Sequence, residues 1–398
     1  MRKIILIIIG VLAVGGGAIA GIYSWRYFRG SGLAFLPPIG NIAEELPTTT
    51  PSVVPGSENT TKLPLQLADG LRIRVLADDL PGARVLAWSP EGRLFVSRTA
   101  QGAVTELQFA DGKVIKQEDV LKDLRKPHGL AFQPELGGLY VATEDSIIGP
   151  DYHVASEYIS KDADLPLGGR HFTRTLLFGA DERLYVSLGS SCDVCHEKNQ
   201  MLATVQVLDL TKDEGLTQFA KGLRNAVFMA LNPRTGEIWA TEMGRDFLGD
   251  DLPPDEINIL KAGSNYGWPI CYSQNVHDTV FDQNTYIRNP CMEPFETPST
   301  IDLPAHSAPL GLAFVPLTWP EPYRGDLLVA YHGSWNRTSP TGYKIVRFDL
   351  DDQGKVVSQQ GQDFISGWLD EGRSLGRPVD LKFFDDMLYV YDDKAGLI

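Results

Sequence analysis

One phrase recurs six times along the 398-residue chain, and no other feature restricts its fold as strongly. The copies are Arg84–Ser97, His128–Ala142, Arg174–Ser187, Ala226–Ala240, Leu310–Ala330 and Pro378–Val390. Each opens as a short apolar run, breaks at a polar turn holding Gly, Asp or Pro, and resumes as a β-branched or aromatic run. That pattern spells a β-hairpin. A lone hairpin cannot bury both faces, so the copies must stack, and all-β repeats of this length predict the blades of a six-bladed β-propeller. The first three copies are evenly spaced, but the interval from Ile238 to Leu327 is about twice as long. The extra residues are insertions, which in a propeller lie on the loops where sites are built.

The segment ahead of the repeats has a different composition. No charged residue occurs between Ile4 and Trp25. As a helix rising about 1.5 Å per residue, this stretch is long enough to cross a bilayer. Ala18-Ile19-Ala20 also fits a small-residue cleavage site, so residues 1–30 read as a membrane anchor or a removed signal segment. Either places the bulk of the protein outside the cytoplasm, periplasmic or at the cell surface. Residues 31–64 are rich in Pro, Thr and Ser and read as a disordered linker. The propeller is expected over 65–398, with Leu71–Ala77 as an early strand that completes the last blade and closes the ring. The formal net charge of −15 and the lack of a basic stripe exclude a nucleic-acid partner.

Four cysteines, Cys192, Cys195, Cys271 and Cys291, form an even set in an exported chain, so disulfides are expected. Pairing Cys192 with Cys195 and Cys271 with Cys291 is the simplest choice, since each pair shares one insertion. Cys192-Asp193-Val194-Cys195-His196 also matches the attachment pattern of c-type haem, but it follows a strand and lacks a helical haem pocket.

In a propeller the first strand of each hairpin lines the central channel, so residues just before it gather at one mouth. Those positions hold Arg84, His128, His171 with Arg174, Arg224 with Asn225, His306, and Arg377. Arginines and histidines facing one pocket suit a multiply anionic planar ligand, and a histidine among them can serve as a general base. The longest insertion adds Asp246, Asp250, Asp251, Asp255 and Glu256, a density of hard oxygen ligands that favours calcium over softer metals.

Ordered motifs then bring a family into view: His171–Gly189, Gly222–Asn225, Glu242–Asn258, Asn265–Pro269, His332–Arg337 and Gly376–Val379. From about Leu65 to the C-terminus the chain resembles the soluble glucose dehydrogenase/sorbosone dehydrogenase family, six-bladed propellers that use pyrroloquinoline quinone (PQQ) and calcium. The resemblance implies that His171 takes the proton from the sugar C1 hydroxyl while hydride passes to the quinone. It implies that Arg224 and Asn225 hold the quinone oxygens, that Arg377 pairs with a PQQ carboxylate, and that Arg337 replaces a cofactor-contacting lysine. The carbonyls of Gly244 and Arg245 would ligate calcium, and Asp255, Glu256 and Tyr266 match positions that bind further calcium. His128 lies where a substrate-facing glutamine is found. Two departures stand out. Gly189-Ser190 replaces the Gly-Asp of glucose-oxidising members, removing the carboxylate that supports the catalytic histidine unless Asp193 substitutes, and Phe228 stands where glycine is usual.

The implied activity is a PQQ- and calcium-dependent oxidation of an aldose or sorbosone-type sugar, with electrons leaving to a quinone or a cytochrome. The alternatives are a calcium-dependent lactonase and a non-catalytic sugar- or protein-binding propeller, because one fold hosts all three. The cationic set Arg224, Arg337 and Arg377 favours an anionic cofactor.

Overall fold

The computed structural model describes residues 57–110, 112–150, 159–167, 169–212 and 214–398. Among them every regular element is a strand. The expected anchor, residues 1–30, and most of the expected linker lie outside the described residues. Residues 57–64 do not behave as a linker: Glu58–Asn59 pairs in parallel with Arg72–Ile73. Among the described residues no helix is long and apolar enough to cross a membrane.

All six repeated phrases fold as antiparallel hairpins. Their turns are flanked by the pairs Trp88 with Leu94, Phe132 with Leu139, Phe178 with Leu184, Leu231 with Ile238, Phe314 with Leu327 and Phe384 with Met387. Four hairpins grow outward into four-stranded sheets, and the fifth gains a further strand from Gln66–Leu67. The sixth, Pro378–Phe384 with Met387–Asp392, is a two-stranded sheet. Their first strands, starting at Ala83, Gly129, Leu176, Ala226, Pro309 and Pro378, touch one another in that order, and the last touches the first. The molecule is therefore an all-β propeller, with a central core that joins Leu86, Val141, Trp239, Leu312 and Val379 from different sheets.

Closure of the ring differs from expectation. Within the early segment only Leu76 and Ala77 form backbone hydrogen bonds with the C-terminus: the Leu76 amide donates to Ile398 O (2.7 Å) and the Ile398 amide donates to Ala77 O (3.0 Å). The chain folds back after Asp392, and Leu397 bridges to it, so the C-terminal residues occupy the edge that a longer early strand would need.

Four inner strands carry a bulge near their start, at Ala83/Leu86, Ala226/Phe228, Pro309/Leu312 and Pro378/Leu381. A bulge frees backbone groups and re-aims side chains. Polar side chains of neighbouring sheets bond backbone groups in these stretches: Asp380 accepts from the Leu86 amide (2.8 Å), and Thr241 donates to Leu310 O (2.7 Å). Thr175 likewise donates to Val227 O. These buried bonds tie sheet to sheet at the end of the ring where the first strands begin.

Candidate functional site

Two recesses compete for attention. The larger, about 390 Å³, lies on the flank of the sixth hairpin and is lined largely by apolar side chains such as Leu71, Ile73, Trp319 and Leu388. The second, about 250 Å³, opens at the mouth where the inner strands begin. It is the chemically equipped one, because Arg170, His171, Arg224, Asn225, Asp246 and His306 all line it.

Each side chain arrives by a short lead-in or exit of a repeated hairpin. Arg170 and His171 precede the third sheet, and their amides donate to Ser191 O (3.0 Å) and Ser190 O (3.2 Å) of the loop leaving the same sheet. Gly189 is needed where these segments meet, because a Cβ there would sit 2.5 Å from His171 Cβ and 2.8 Å from Asn225 Oδ1. The His171 ring contacts Ser190 Oγ through Nδ1 (2.8 Å). Burial, reinforced by the Arg224 and Arg170 charges, drives its pKa down to about 3, so the ring is neutral.

Arg224 is nearly inaccessible, and each of its three guanidinium nitrogens is engaged. Its Nε donates to Asp193 O (2.9 Å), Nη1 to Met243 O (3.2 Å), and Nη2 to Asp193 Oδ1 (2.8 Å) and Asp246 Oδ2 (3.3 Å). Asp193 thus supports the arginine; the group beside His171 is Ser190. Asp246 also accepts from Arg170 (3.2 Å) and from Asn336 Nδ2 (3.0 Å). The Asn225 amide donates to Glu242 (3.0 Å), a carboxyl that burial and the nearby Glu256 hold well above the usual carboxylate range.

The expected metal residues fall into two groups. Asp255 lines the main cavity and is capped by the Gly244 amide (3.0 Å), the Ala308 amide (2.9 Å) and Ser307 Oγ (3.2 Å), which ties the fourth sheet to the fifth. Gly244, Arg245, Glu256 and Tyr266 share a narrow adjoining cleft with Glu242 and Asp278. Burial pushes both Asp255 and Glu256 up to about 7. Tyr266 donates its hydroxyl to Ile259 O (2.6 Å), and Arg245 pairs with Asp278 (2.8 Å).

The remaining expected residues lie around this centre. Arg377 donates to the Tyr343 hydroxyl (3.1 Å) and to Ser334 O (3.4 Å), next to the cavity-lining Trp335 and Asn336. Arg337 reaches Ala305 O (3.2 Å) and Asp251 (2.8 Å). Arg84 pairs with Asp393 (2.5 Å), and His332 donates to the same carboxylate (3.0 Å). His128 has no exposed surface; its Nδ1 contacts Arg174 O at 3.1 Å. Arg174 is likewise turned inward, bonding the carbonyls of His171 (2.9 Å) and Pro166 (3.0 Å). Cys192 is joined to Cys195 and Cys271 to Cys291, so the paired sulfurs of the first two are not available as haem thioethers. Arg170 and Asp246 were missing from the sequence-derived mouth set. Arg170 sits one place before His171, and Asp246 belongs to the acidic run, but only the fold puts them in contact.

Comparison with known proteins gives this geometry a lineage. A family model described as TrAA12-like matches residues 65–365, which is most of the chain. The chain belongs to the TrAA12-like family. An uncharacterized protein of Borreliella burgdorferi is 28% identical over 83% of this chain and 89% of its own length. A pyrroloquinoline quinone-dependent pyranose dehydrogenase of Coprinopsis cinerea is 25% identical over 71% of this chain; the match spans 44% of that enzyme. The calcium structure of the Trichoderma reesei Carbohydrate-Active Enzymes Family AA12 superposes with a TM-score of 0.72 at 21% identity. It covers 87% of this chain and 98% of that one, a likeness of fold.

Proposed function

We propose that this TrAA12-like protein is a PQQ- and calcium-dependent sugar dehydrogenase that oxidises an aldose or sorbosone-type sugar. The observation that carries the reading is the convergence of His171, Arg224 and Asn225 on one cavity beside Gly244 and Asp246. Family membership and the activity of the Coprinopsis cinerea relative support it.

The residues present suit such a cofactor. Asn336 Oδ1 is buried on the cavity wall with no hydrogen-bond partner among the described residues, an acceptor suited to a donor or a cation. Arg170 and Arg224 are balanced by Asp193 and Asp246. A multiply anionic quinone would therefore enter with charge that the lining alone does not offset, and a divalent cation supplies the difference. Gly244, Arg245, Asp255, Glu256 and Tyr266 would hold calcium in and beside the cavity, and Arg224, Asn225, Arg337 and Arg377 would orient the quinone. Bound PQQ, polarised by calcium, supplies the two-electron acceptor.

The protein's own work is positioning and proton removal. His171, neutral and walled in, takes a hydroxyl proton from the sugar. Its low basicity is a consequence of burial beside two guanidinium groups. Asp193 and Asp246 keep Arg224 from swinging into the substrate's place.

The protein is an exported one in this reading, tethered or released at residues 1–30, and it hands electrons to a quinone or a cytochrome. Its two disulfides suit an oxidising compartment. Reconstitution with PQQ and calcium, followed by dye reduction with a panel of aldoses and sorbosone, tests the assignment. Sugar-dependent reduction is expected; lactone hydrolysis without reduction would replace it with the hydrolytic alternative, and neither activity with the binding-module one.

A further inference from the structure

Ser190 has no exposed surface, and its hydroxyl is wedged between two groups: His171 Nδ1 at 2.8 Å and the Cys192 carbonyl at 2.6 Å. The hydroxyl has one proton to give. A carbonyl can only accept, so with Oγ and O this close the proton must lie between them; otherwise two lone pairs would face each other. Ser190 Oγ is left as an acceptor toward His171, and the Nδ1 of the neutral ring must carry the ring proton. The lone pair therefore resides on Nε2, which no described protein group hydrogen-bonds, on a ring that lines the cavity.

The Cys192 carbonyl is held in place from several sides. Cys192 is locked to Cys195. The next carbonyl, Asp193 O, accepts from Arg224 Nε (2.9 Å) and Trp268 Nε1 (3.2 Å), while Ser191 donates to Glu197 through its amide and hydroxyl (2.6 and 2.8 Å). The loop is thus a rigid clamp on one hydroxyl rotor.

We infer that Ser190, aimed by the Cys192 carbonyl, is a positioning residue that fixes His171 as the Nδ1–H tautomer and presents Nε2 to the cavity as the base. The use made of that lone pair rests on the dehydrogenase reading; the tautomer itself does not.

The test is long-range ¹H–¹⁵N correlation NMR on the full chain labelled with ¹⁵N-histidine, with His171 assigned by its loss in His171→Gln. Wild type is expected to show a protonated Nδ1 and a bare Nε2. In Ser190→Ala that preference is expected to collapse into a mixture, while Ser190→Thr, which keeps the hydroxyl, retains it. His128 is the internal control for folding, because its Nδ1 faces the Arg174 carbonyl (3.1 Å) and should stay protonated in every variant. In reconstituted enzyme Ser190→Ala is expected to lose at least about tenfold in kcat with KM little changed, since an imidazole held in the wrong tautomer can cost far more. A protonated Nε2 in wild type would overturn the inference, even if Ser190→Ala failed to fold. So would an unchanged His171 tautomer in folded Ser190→Ala. Failure to bind PQQ would instead sink the functional reading and leave the tautomer result standing.

Discussion

Removing the Asp193 carboxylate is the sharpest perturbation of the site that leaves the cavity walls intact. Asp193 Oδ1 accepts from both Arg224 Nη2 (2.8 Å) and the Asp246 amide (2.8 Å). Breaking a buried ion pair typically costs about 3–5 kcal/mol, because the surviving charge is left without compensation. Here Arg224 keeps Asp246 and two carbonyls, so only part of that cost applies, about 2 kcal/mol; the orphaned Asp246 amide adds about 1 kcal/mol. Asp193→Ala should therefore destabilise by about 3 kcal/mol. With an unfolding entropy of about 2.1 cal/mol/K per residue over the ordered ring, Tm should fall by about 4 °C. Asp193→Asn keeps an acceptor for both donors and loses only the charge, so about half that effect is expected. Urea unfolding and calorimetry of the two variants give the comparison. If both lie within about 0.5 kcal/mol of wild type, or if Asn is worse than Ala, then Asp193 does not anchor Arg224 as described.

Other consequences are independent of that one. His128, fully buried, has its pKa pushed from 6.5 to about 3, first by burial and then by the Arg84 charge. The unfolded chain takes up that proton below about 6.5 and the folded one does not, so stability is lost as pH falls through the window from 6.5 to 3. Between pH 7 and pH 4.5 wild type should lose about 2.5 kcal/mol more than His128→Gln, measured by urea unfolding at each pH. Removing the Cys271–Cys291 bridge, with a sequence separation of 20, should cost about 3 kcal/mol, against about 2 kcal/mol for Cys192–Cys195, with a separation of 3. Paired Cys→Ser variants measured by denaturation give the order. Gly189→Ala should displace His171 and lower turnover of reconstituted enzyme at least about tenfold, since small misplacements of catalytic groups are costly; unchanged kcat would show that the contact relaxes freely.

The hairpins, the insertions and the shared mouth were legible because a propeller repeats one local pattern, and patterns of period two survive in the sequence. The orientation of individual mouth residues was less so. Bulges at the starts of four inner strands shift the alternation by a residue, and a shift of one sends a side chain to the opposite face. Arg174 and His128 depart for a different reason, since the inner strands they precede, Leu176–Phe178 and Gly129–Phe132, pair without a bulge. Their place before a strand predicted a cavity-facing ring, yet both fold inward to satisfy carbonyls. The ion pairs that organise Arg224 join residues from separate loops, Asp193 and Asp246, and no local spacing announces them. The sixth sheet was legible only as its hairpin, because beyond it the chain turns back onto Asp392 and bonds Leu76 and Ala77, more than three hundred residues away.

Calorimetric titration of the purified, metal-free protein with PQQ, with and without calcium, bears most directly on the site at the ring's mouth. Saturable binding at one equivalent is expected when calcium is present, with loss on chelation and at least tenfold weakening in Arg170→Gln, whose guanidinium lines the cavity and bonds Asp246. A folded protein that takes up no quinone at any calcium concentration would contradict the assignment.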